Sequence, residues 1–514
     1  MSGLSGYDSE SVGFDSITLN RRDETDSSTQ TSEFYESGVG SQTTFSQDSG
    51  CLATPENLNA QDEILKEYAP PGLNDCPAGL NEFLRKVVPA MLEQLDKTDK
   101  NILHNSSDSE EEEVIASKLY QEINLADLPG IGSGDESRSV LDLCWSNAGN
   151  SLAVSIGRHR HENWCNDDGL IRIFTVKRTA GDMFIRSLDV TEKSCISVIK
   201  YHPSIAALLA YGTTSGEVVL CNLRNLDAVL MSSPAGSHGS KRVTNLQWAD
   251  APLANAFLTL HILNTGKRRN PSDYVLISSG SDGTINIWQV NSNLKAKTFE
   301  SILTYSINGS RKMAAIDISC FDFIKTYPLR PIGDQKVPDD VFVVGSSTGS
   351  LFLCKTRAYQ QIMDSKMVDP VYEVLDGHRT CVLDVAFSIH KPGIFVSASI
   401  DSELRVYDIN QTSPLKVICL DVPISCMAWL PSNPCIVILG LARPTEELLK
   451  VYNINTGRAL PVEGLTGHGG CVTAISINQS EICRIATGDA DSNVRIWELP
   501  LRRFRFSADD LDEF

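Results

Sequence analysis

Short apolar strands separated by turns run through most of the chain. From about residue 138 onward, β-branched and aromatic residues recur between Gly, Asp, Ser and Asn, and no long stretch has helical spacing. The clearest copies each place a turn before an alternating strand. They are SDGTINIW at 281–288, STGSLFLC at 347–354, DSELRVYD at 401–408 and DSNVRIWE at 491–498. This pattern predicts an all-β body over residues 138–500, followed by a tail at 501–514.

Three weaker copies of the same pattern bring the number of units to seven. They are DGLIRIF at 168–174, SGEVVLC at 215–221 and ELLKVYN at 447–453. The strand-closing positions of successive units lie 47, 67, 66, 53, 45 and 45 residues apart. The shortest spacings match the roughly 40–45 residues of a four-stranded propeller blade, and the longer ones indicate loop insertions. We therefore expect a seven-bladed β-propeller whose first and last units close the ring.

The segment 79–98 has a different period. Its apolar residues step by i, i+3, i+4 and i+7, and polar residues fill the other face, which predicts an amphipathic helix. Pro89 lies within the pattern and indicates a kink or a second segment. A lone helix needs a partner groove, either on another protein or on its own propeller. Its apolar face consists of Leu80, Phe83, Leu84, Val87, Val88, Met91, Leu92 and Leu95.

Charge separates the amino-terminal part from the body. Residues 1–137 contain 27 acidic and 8 basic residues, and residues 138–514 contain 38 and 37. The amino-terminal part is acidic and contains few apolar residues. Such a segment cannot bury enough apolar surface to fold, which predicts a disordered arm over residues 1–78. Residues 99–137 are interpreted as an acidic linker, in which the apolar piece 114–128 forms a second short helix. The net charge of −20 argues against a dedicated nucleic-acid binder.

Other classes of function find little support in the sequence. The longest apolar runs are too short to cross a bilayer, and the first residues lack the basic and apolar regions of a signal peptide. The 14 cysteines sit singly and do not cluster with histidines, so we expect no zinc site, no disulfide framework and a reducing compartment. Phosphate-loop and HExxH motifs are missing, and the GxSxG stretch from Gly345 to Gly349 lies at a predicted strand turn, where glycine is ordinary, so no cofactor and no catalysis are expected.

Two units open with a glycine and a histidine, Gly377-His378 and Gly467-His468, and this body resembles the WD40 family. The resemblance implies a tetrad in which the His, a hydroxyl residue, an Asp and the closing aromatic are hydrogen-bonded within a blade. Unit three keeps Ser278, Asp282 and Trp288 but shows no Gly-His pair. The implied tetrads are His378, Ser397, Asp401 and Tyr407, with Tyr in place of the usual Trp, and His468, Thr487, Asp491 and Trp497.

The arm contains two similar tripeptides, Thr29-Gln30-Thr31 and Ser41-Gln42-Thr43. A disordered strand with alternating threonines is suited to adding itself to an exposed sheet edge. The first tripeptide resembles the anchor by which partners bind the small homodimeric dynein light chain. The alternative is compositional, because such tripeptides arise easily in a tract rich in Ser, Thr and Gln.

This arrangement of arm, helix and propeller resembles the dynein intermediate chains, among which those of cytoplasmic dynein-2 are the most similar. The resemblance implies a non-catalytic subunit for retrograde intraflagellar transport, in the cytoplasm, the cytoskeleton, the cilium and the ciliary base. Its implied partners are the dynein-2 heavy chain, a second and longer intermediate chain, and small light chains, of which a roadblock-type dimer would hold the helix. Nucleic acid and membrane insertion are not implied. The alternatives are a WD-repeat scaffold or substrate adaptor outside dynein and an intermediate chain of another dynein class.

Overall fold

The computed structural model describes Val87 and Val88, residues 115–125 and residues 138–500. The last range has gaps at 160–164, 166, 178–182, 225–228, 266–272, 293, 295–299, 309–315, 325–339, 358–366, 392, 444–445 and 479–482. Within these residues no helix is long and apolar enough to cross a membrane.

Strands are numbered in chain order, beginning with β1 (Ile115–Ala116) and β2 (Lys118–Asn124). Blade one contains β3 (Ser139–Trp145), β4 (Ser151–Gly157), β5 (Gly169–Lys177) and β6 (Met183–Glu192). Blade two contains β7 (Ile196–Tyr201), β8 (Leu208–Thr213), β9 (Val218–Asn222) and β10 (Val229–Ser232). Blade three contains β11 (Val243–Trp248), α1 (Ala251–Thr265), β12 (Tyr274–Gly280), β13 (Thr284–Val290) and β14 (Glu300–Ser306).

Blade four contains β15 (Ile318–Phe323), β16 (Val341–Ser346), β17 (Leu351–Lys355) and β19 (Val371–Leu375), and the short β18 (Met367–Val368) before β19 joins the sheet of blade three. Blade five contains β20 (Val382–Phe387), β21 (Ile394–Ser399), β22 (Glu403–Asp408) and β23 (Lys416–Cys419). Blade six contains β24 (Ile424–Trp429), β25 (Ile436–Leu441), β26 (Leu449–Asn453) and β27 (Arg458–Leu460). The last strands are β28 (Val462–Glu463), β29 (Val472–Ile477), β30 (Arg484–Asp489) and β31 (Asn493–Glu498).

Seven antiparallel sheets form a closed ring, which confirms the predicted seven-bladed propeller. The inner strand of each blade contacts the inner strand of the next, and β29 of blade seven contacts β3 of blade one. Burial on both faces explains why second strands such as β8 read as apolar runs instead of alternating ones. Blade four departs from the regular pattern, because β18 pairs in parallel with β14 of blade three and leaves β19 as the outer strand.

Adjacent blades pack closely because glycines near the ends of second strands leave room for valines of the next blade. A Cβ at Gly212 would lie 2.5 Å from Val243 Cγ1, and one at Gly488 would lie 2.3 Å from Val140 Cγ1. Both distances are below van der Waals contact, so a larger residue would push the blades apart. The Gly488 contact lies where blade seven meets blade one.

Ring closure corrects two sequence predictions. Residues 114–128 were expected to form a short helix before a propeller beginning at 138, but the structure has β1 and β2 there. β2 is the outer strand of blade seven and pairs antiparallel with β31, with Ile123 opposite Val494. The outer edge of β31 offers unpaired backbone groups, and this tertiary demand overrides local helical preference. The propeller therefore begins near residue 115.

One long unit contains a helix that the strand pattern did not predict. The helix α1 lies between β11 and β12, and its Phe257 and Leu258 pack into a core shared by blades three and four. The Phe257 and Phe323 rings meet edge to face at 6.1 Å. An insertion was expected in this unit, and the helix buries one face, with Leu253 and Ala254 beside Phe257 and Leu258, while Asn255 and Thr259 are exposed.

Candidate functional site

The predicted tetrad of blade five forms in part. The His378 Nε2 and Ser397 Oγ atoms lie 2.7 Å apart, and His378 Nδ1 lies 3.4 Å from Asp401 Oδ1. Tyr407 does not join Ser397, because its hydroxyl donates to the Asp376 carbonyl at 2.6 Å. Burial lowers the pKa of His378 despite the nearby Asp401. The histidine is therefore neutral at pH 7, and its role is to hydrogen-bond Ser397 inside the blade.

The predicted tetrad of blade seven is wrong in its histidine and its aspartate. Trp497 Nε1 donates to Thr487 Oγ1 at 3.2 Å as expected. His468 and Asp491, however, are exposed, and within the described residues no hydrogen bond joins the His468 side chain to either Asp491 or Thr487. The reason is a different polar pair, Asp489 and Arg495, in the same blade.

Asp489 and Arg495 form a buried ion pair at the turn of blade seven. Arg495 Nη1 lies 2.8 Å from Asp489 Oδ2, and both side chains are 2% exposed. The other oxygen of Asp489 accepts the backbone N–H groups of Asp491 and Asn493. Arg495 Nε donates to Glu122 Oε1 at 2.7 Å, so the pair also holds the closing strand β2. These contacts replace the histidine tetrad.

Blade three contains a complete tetrad that the sequence analysis missed. His238 Nε2 lies 2.8 Å from Ser278 Oγ, which also accepts Trp288 Nε1–H at 2.7 Å. His238 Nδ1 lies 3.4 Å from Asp282 Oδ1. The glycine follows His238 instead of preceding it, so a search for Gly-His passes over this residue. The available signal was a histidine 40 residues before Ser278.

These networks combine Asp, His and Ser, as a catalytic triad does, but their geometry is structural. Ser278 Oγ is held between His238 and Trp288, and the residue is fully buried. A substrate could not reach that hydroxyl without opening the blade. A satisfied buried network of this kind makes the blade rigid.

The Ser278 hydroxyl gives a stability test. We expect Ser278→Ala to lower the free energy of unfolding by about 2–3 kcal/mol, because buried groups on both His238 and Trp288 lose their partner. Thr487→Val in blade seven removes the acceptor of Trp497 Nε1 and a long 3.4 Å hydrogen bond to the Arg495 carbonyl, and it should cost about half as much. Urea unfolding of the full chain measures both. Equal losses in the two variants would contradict the two-partner arrangement.

Inner strands carry acidic side chains that join neighbouring blades at the axis. Asp142 Oδ2 accepts the Ile199 N–H of blade two at 2.8 Å, and Asp322 Oδ2 accepts the Phe387 N–H of blade five at 2.8 Å. Burial and the charge of Asp322 raise the pKa of Asp384 to about 7, and Lys200 opposes that shift. These groups connect the inner strands of neighbouring blades at the centre of the ring.

Two cysteines that are far apart in sequence meet between blades one and two. The Sγ atoms of Cys165 and Cys195 and a carboxylate oxygen of Asp167 all lie within 4.8 Å of one another. The cysteines sit singly along the sequence, but the turns before β5 and β7 bring together these two, which are 30 residues apart. A hydrogen bond from Cys195 lowers the pKa of Cys165 to about 4.

The predicted light-chain sites lie outside the described residues. This holds for both tripeptides, 29–31 and 41–43, and for the helix at 79–98 except Val87 and Val88. Those two residues are helical, with Val87 half-buried and Val88 41% exposed. The light-chain assignments stay predictions.

The family model "WD domain, G-beta repeat" matches residues 369–408 and 460–498, which include three strands each of blades five and seven. The chain thus contains two WD40 repeats, one in blade five and one in blade seven. Human "Cytoplasmic dynein 2 intermediate chain 2" is 19% identical over 84% of this chain and 77% of its own length. "Dynein intermediate chain 2, ciliary" of Heliocidaris crassispina is 21% identical over 64% of this chain and 42% of its own length.

A third relative is named as a ubiquitin ligase and not as a dynein chain. "E3 ubiquitin-protein ligase COP1" of Pisum sativum is 27% identical over 26% of this chain and 20% of its own length. The relatives that match over 64–84% of this chain are named as dynein intermediate chains, whereas the ligase is similar over a short part. Dynein intermediate chains with a WD40 propeller are structural, non-catalytic subunits.

Proposed function

We propose that this WD40 protein is the shorter intermediate chain of a cytoplasmic dynein-2 motor and serves retrograde intraflagellar transport and cilium assembly. The observation that carries the proposal is the extent of similarity. The propeller occupies residues 115–500, about three quarters of the chain, and the similarity to the human dynein-2 chain covers 84%. The relation therefore includes sequence outside the propeller, which a shared repeat alone would not produce.

The propeller is proposed to bind the heavy-chain tail. A closed ring offers a rigid surface, and some outer strands expose large apolar side chains. On β19 these side chains are Tyr372 and Val374. At β23 they are Val417 and Leu415, which lies just before the strand, and all four side chains are 40–51% exposed. These outer strands of blades four and five are our candidates for the heavy-chain contact.

The arm is proposed to recruit light chains. The tripeptides at 29–31 and 41–43 would add a strand to the small homodimeric light chain, and the helix at 79–98 would seat on a roadblock-type dimer. A dimeric light chain holds two arms, which would join this chain to a second, longer intermediate chain. The proposed locations are the cytoplasm, the cytoskeleton, the cilium and the ciliary base.

The helix gives the sharpest test of this assignment. We expect Leu84→Asp with Val88→Asp to reduce recovery of the roadblock-type light chain at least tenfold, because two charges enter the apolar face. The matched control is Asn81→Asp with Gln94→Glu, which adds the same charge on the polar face. Affinity purification of the full chain from ciliated cells, with quantitative mass spectrometry, measures heavy and light chains together.

Each outcome of that purification has a separate meaning. Loss of the light chain from the apolar-face variant alone, with heavy chain retained, supports the proposal. Full light-chain recovery from that variant would refute the helix assignment. Recovery of ubiquitin-ligase or chromatin subunits without dynein would favour the adaptor alternative. An axonemal heavy chain would favour an intermediate chain of another dynein class, as the similarity to the sea-urchin ciliary chain suggests.

A further inference from the structure

The cysteine cluster between blades one and two has the donors of a metal site. Cys165 and Asp167 lie in the connection from β4 to β5, and Cys195 immediately precedes β7. Their two sulfurs and one carboxylate oxygen lie within 4.8 Å of one another. Cys195 is fully buried, while Cys165 and Asp167 are half-buried.

Glycines make this close approach possible. A Cβ at Gly157 would lie 2.9 Å from Cys195 Sγ, and one at Gly169 would lie 2.3 Å from the Ser194 carbonyl oxygen. Both distances are too short for a side chain. The ends of β4 and β5 can therefore press against the segment before β7 only because these positions have no side chain.

The surroundings orient the donors. The Cys195 backbone N–H donates to Cys165 Sγ at 3.1 Å, which would stabilise negative charge on that sulfur. Arg158 Nε lies 3.3 Å from Asp167 Oδ2, an ion pair that holds the carboxylate beside the cluster. Outer contacts of this kind fix ligands in metal sites.

We propose that Cys165, Asp167 and Cys195 bind a zinc ion that ties blade one to blade two. Two thiolates and a carboxylate suit Zn²⁺, and three protein ligands leave a fourth position for water. Ligands on one tetrahedral zinc ion lie roughly 3.5–4 Å apart at ordinary bond lengths. The donors need only a small inward movement to reach that geometry.

The test uses the full chain, purified with a phosphine reductant and without chelator. Zinc per chain is measured by inductively coupled plasma mass spectrometry, and we expect one equivalent in the unchanged protein. Cys165→Ser and Cys195→Ser should each lose it, and Asp167→Asn should weaken zinc binding at least tenfold in a competition titration. Cys419→Ser is the matched control, because that cysteine is exposed at the end of β23, and it should keep its zinc.

Cobalt substitution gives a second readout that does not depend on stability. Co²⁺ added to the metal-free chain should produce a thiolate charge-transfer band that persists in Asp167→Asn and disappears in Cys165→Ser. Cys165 is half-buried, so its substitution should leave the propeller folded even where Cys195→Ser does not. Equal zinc in all variants, absence of both zinc and the cobalt band, or a Cys165–Cys195 disulfide in their place would overturn the proposal.

Discussion

A chain that begins at residue 138 is expected to lose most of its stability relative to one that begins at residue 113. The shorter chain lacks β2, so blade seven has three strands and the edge of β31 is unpaired. It also loses the burial of Ile123 and Leu125, worth roughly 3–6 kcal/mol for two such side chains. That loss is large against the 5–15 kcal/mol that typically holds a folded domain together.

Urea unfolding and size-exclusion chromatography of the two chains measure this difference. The chain from 113 should be monomeric and unfold cooperatively, and the chain from 138 should unfold at lower urea and self-associate through its free edge. Restoring residues 115–125 as a separate peptide should recover part of the stability. Identical midpoints for the two chains would show that β2 does not close the ring.

Replacing Asp489 by Ala should lower the free energy of unfolding by about 3–5 kcal/mol, because Arg495 would be left as a buried charge without its partner. The turn would also lose the carboxylate that accepts the Asp491 and Asn493 N–H groups. Chemical denaturation of the full chain is the measurement. Since Arg495 also binds Glu122, part of the loss should appear as weaker attachment of β2, visible as faster amide exchange over 118–124.

The control for this variant is Asp491→Ala. The tetrad pattern selects Asp491, but the residue is exposed, so its loss should cost below about 1 kcal/mol. A larger cost at 491 than at 489 would restore the tetrad first predicted for blade seven and contradict the buried ion pair.

The comparison of these two aspartates shows what sequence reasoning could reach. Turn residues and strand alternation are local, so seven units and their order follow from spacings along the chain. Which acid of GDADSN turns inward depends on Arg495 across the hairpin, and nothing local distinguishes Asp489 from Asp491. The same limit explains His238, whose role is set by Ser278 and Trp288 in other strands.

Contacts between distant segments were the least predictable. The sequence of β2 is compatible with either a helix or a strand. The choice depends on the free edge of β31, which lies more than 360 residues later in the chain. Cys165 and Cys195 look solitary because their proximity depends on two glycines and on the pairing of β5 with β6. Local patterns predict elements, whereas these contacts arise from how the elements pack.

The closing strand also determines where the ring yields under mechanical load. Tension applied to the chain before residue 115 reaches the propeller first through β1, which pairs with β28, and then through β2 on β31. The tension would reach the inner strands at the centre of the ring last. A force strong enough to peel off β2 would open blade seven while the strands of the other six blades stayed paired, so the β2–β31 pair would be the first part of the ring to separate.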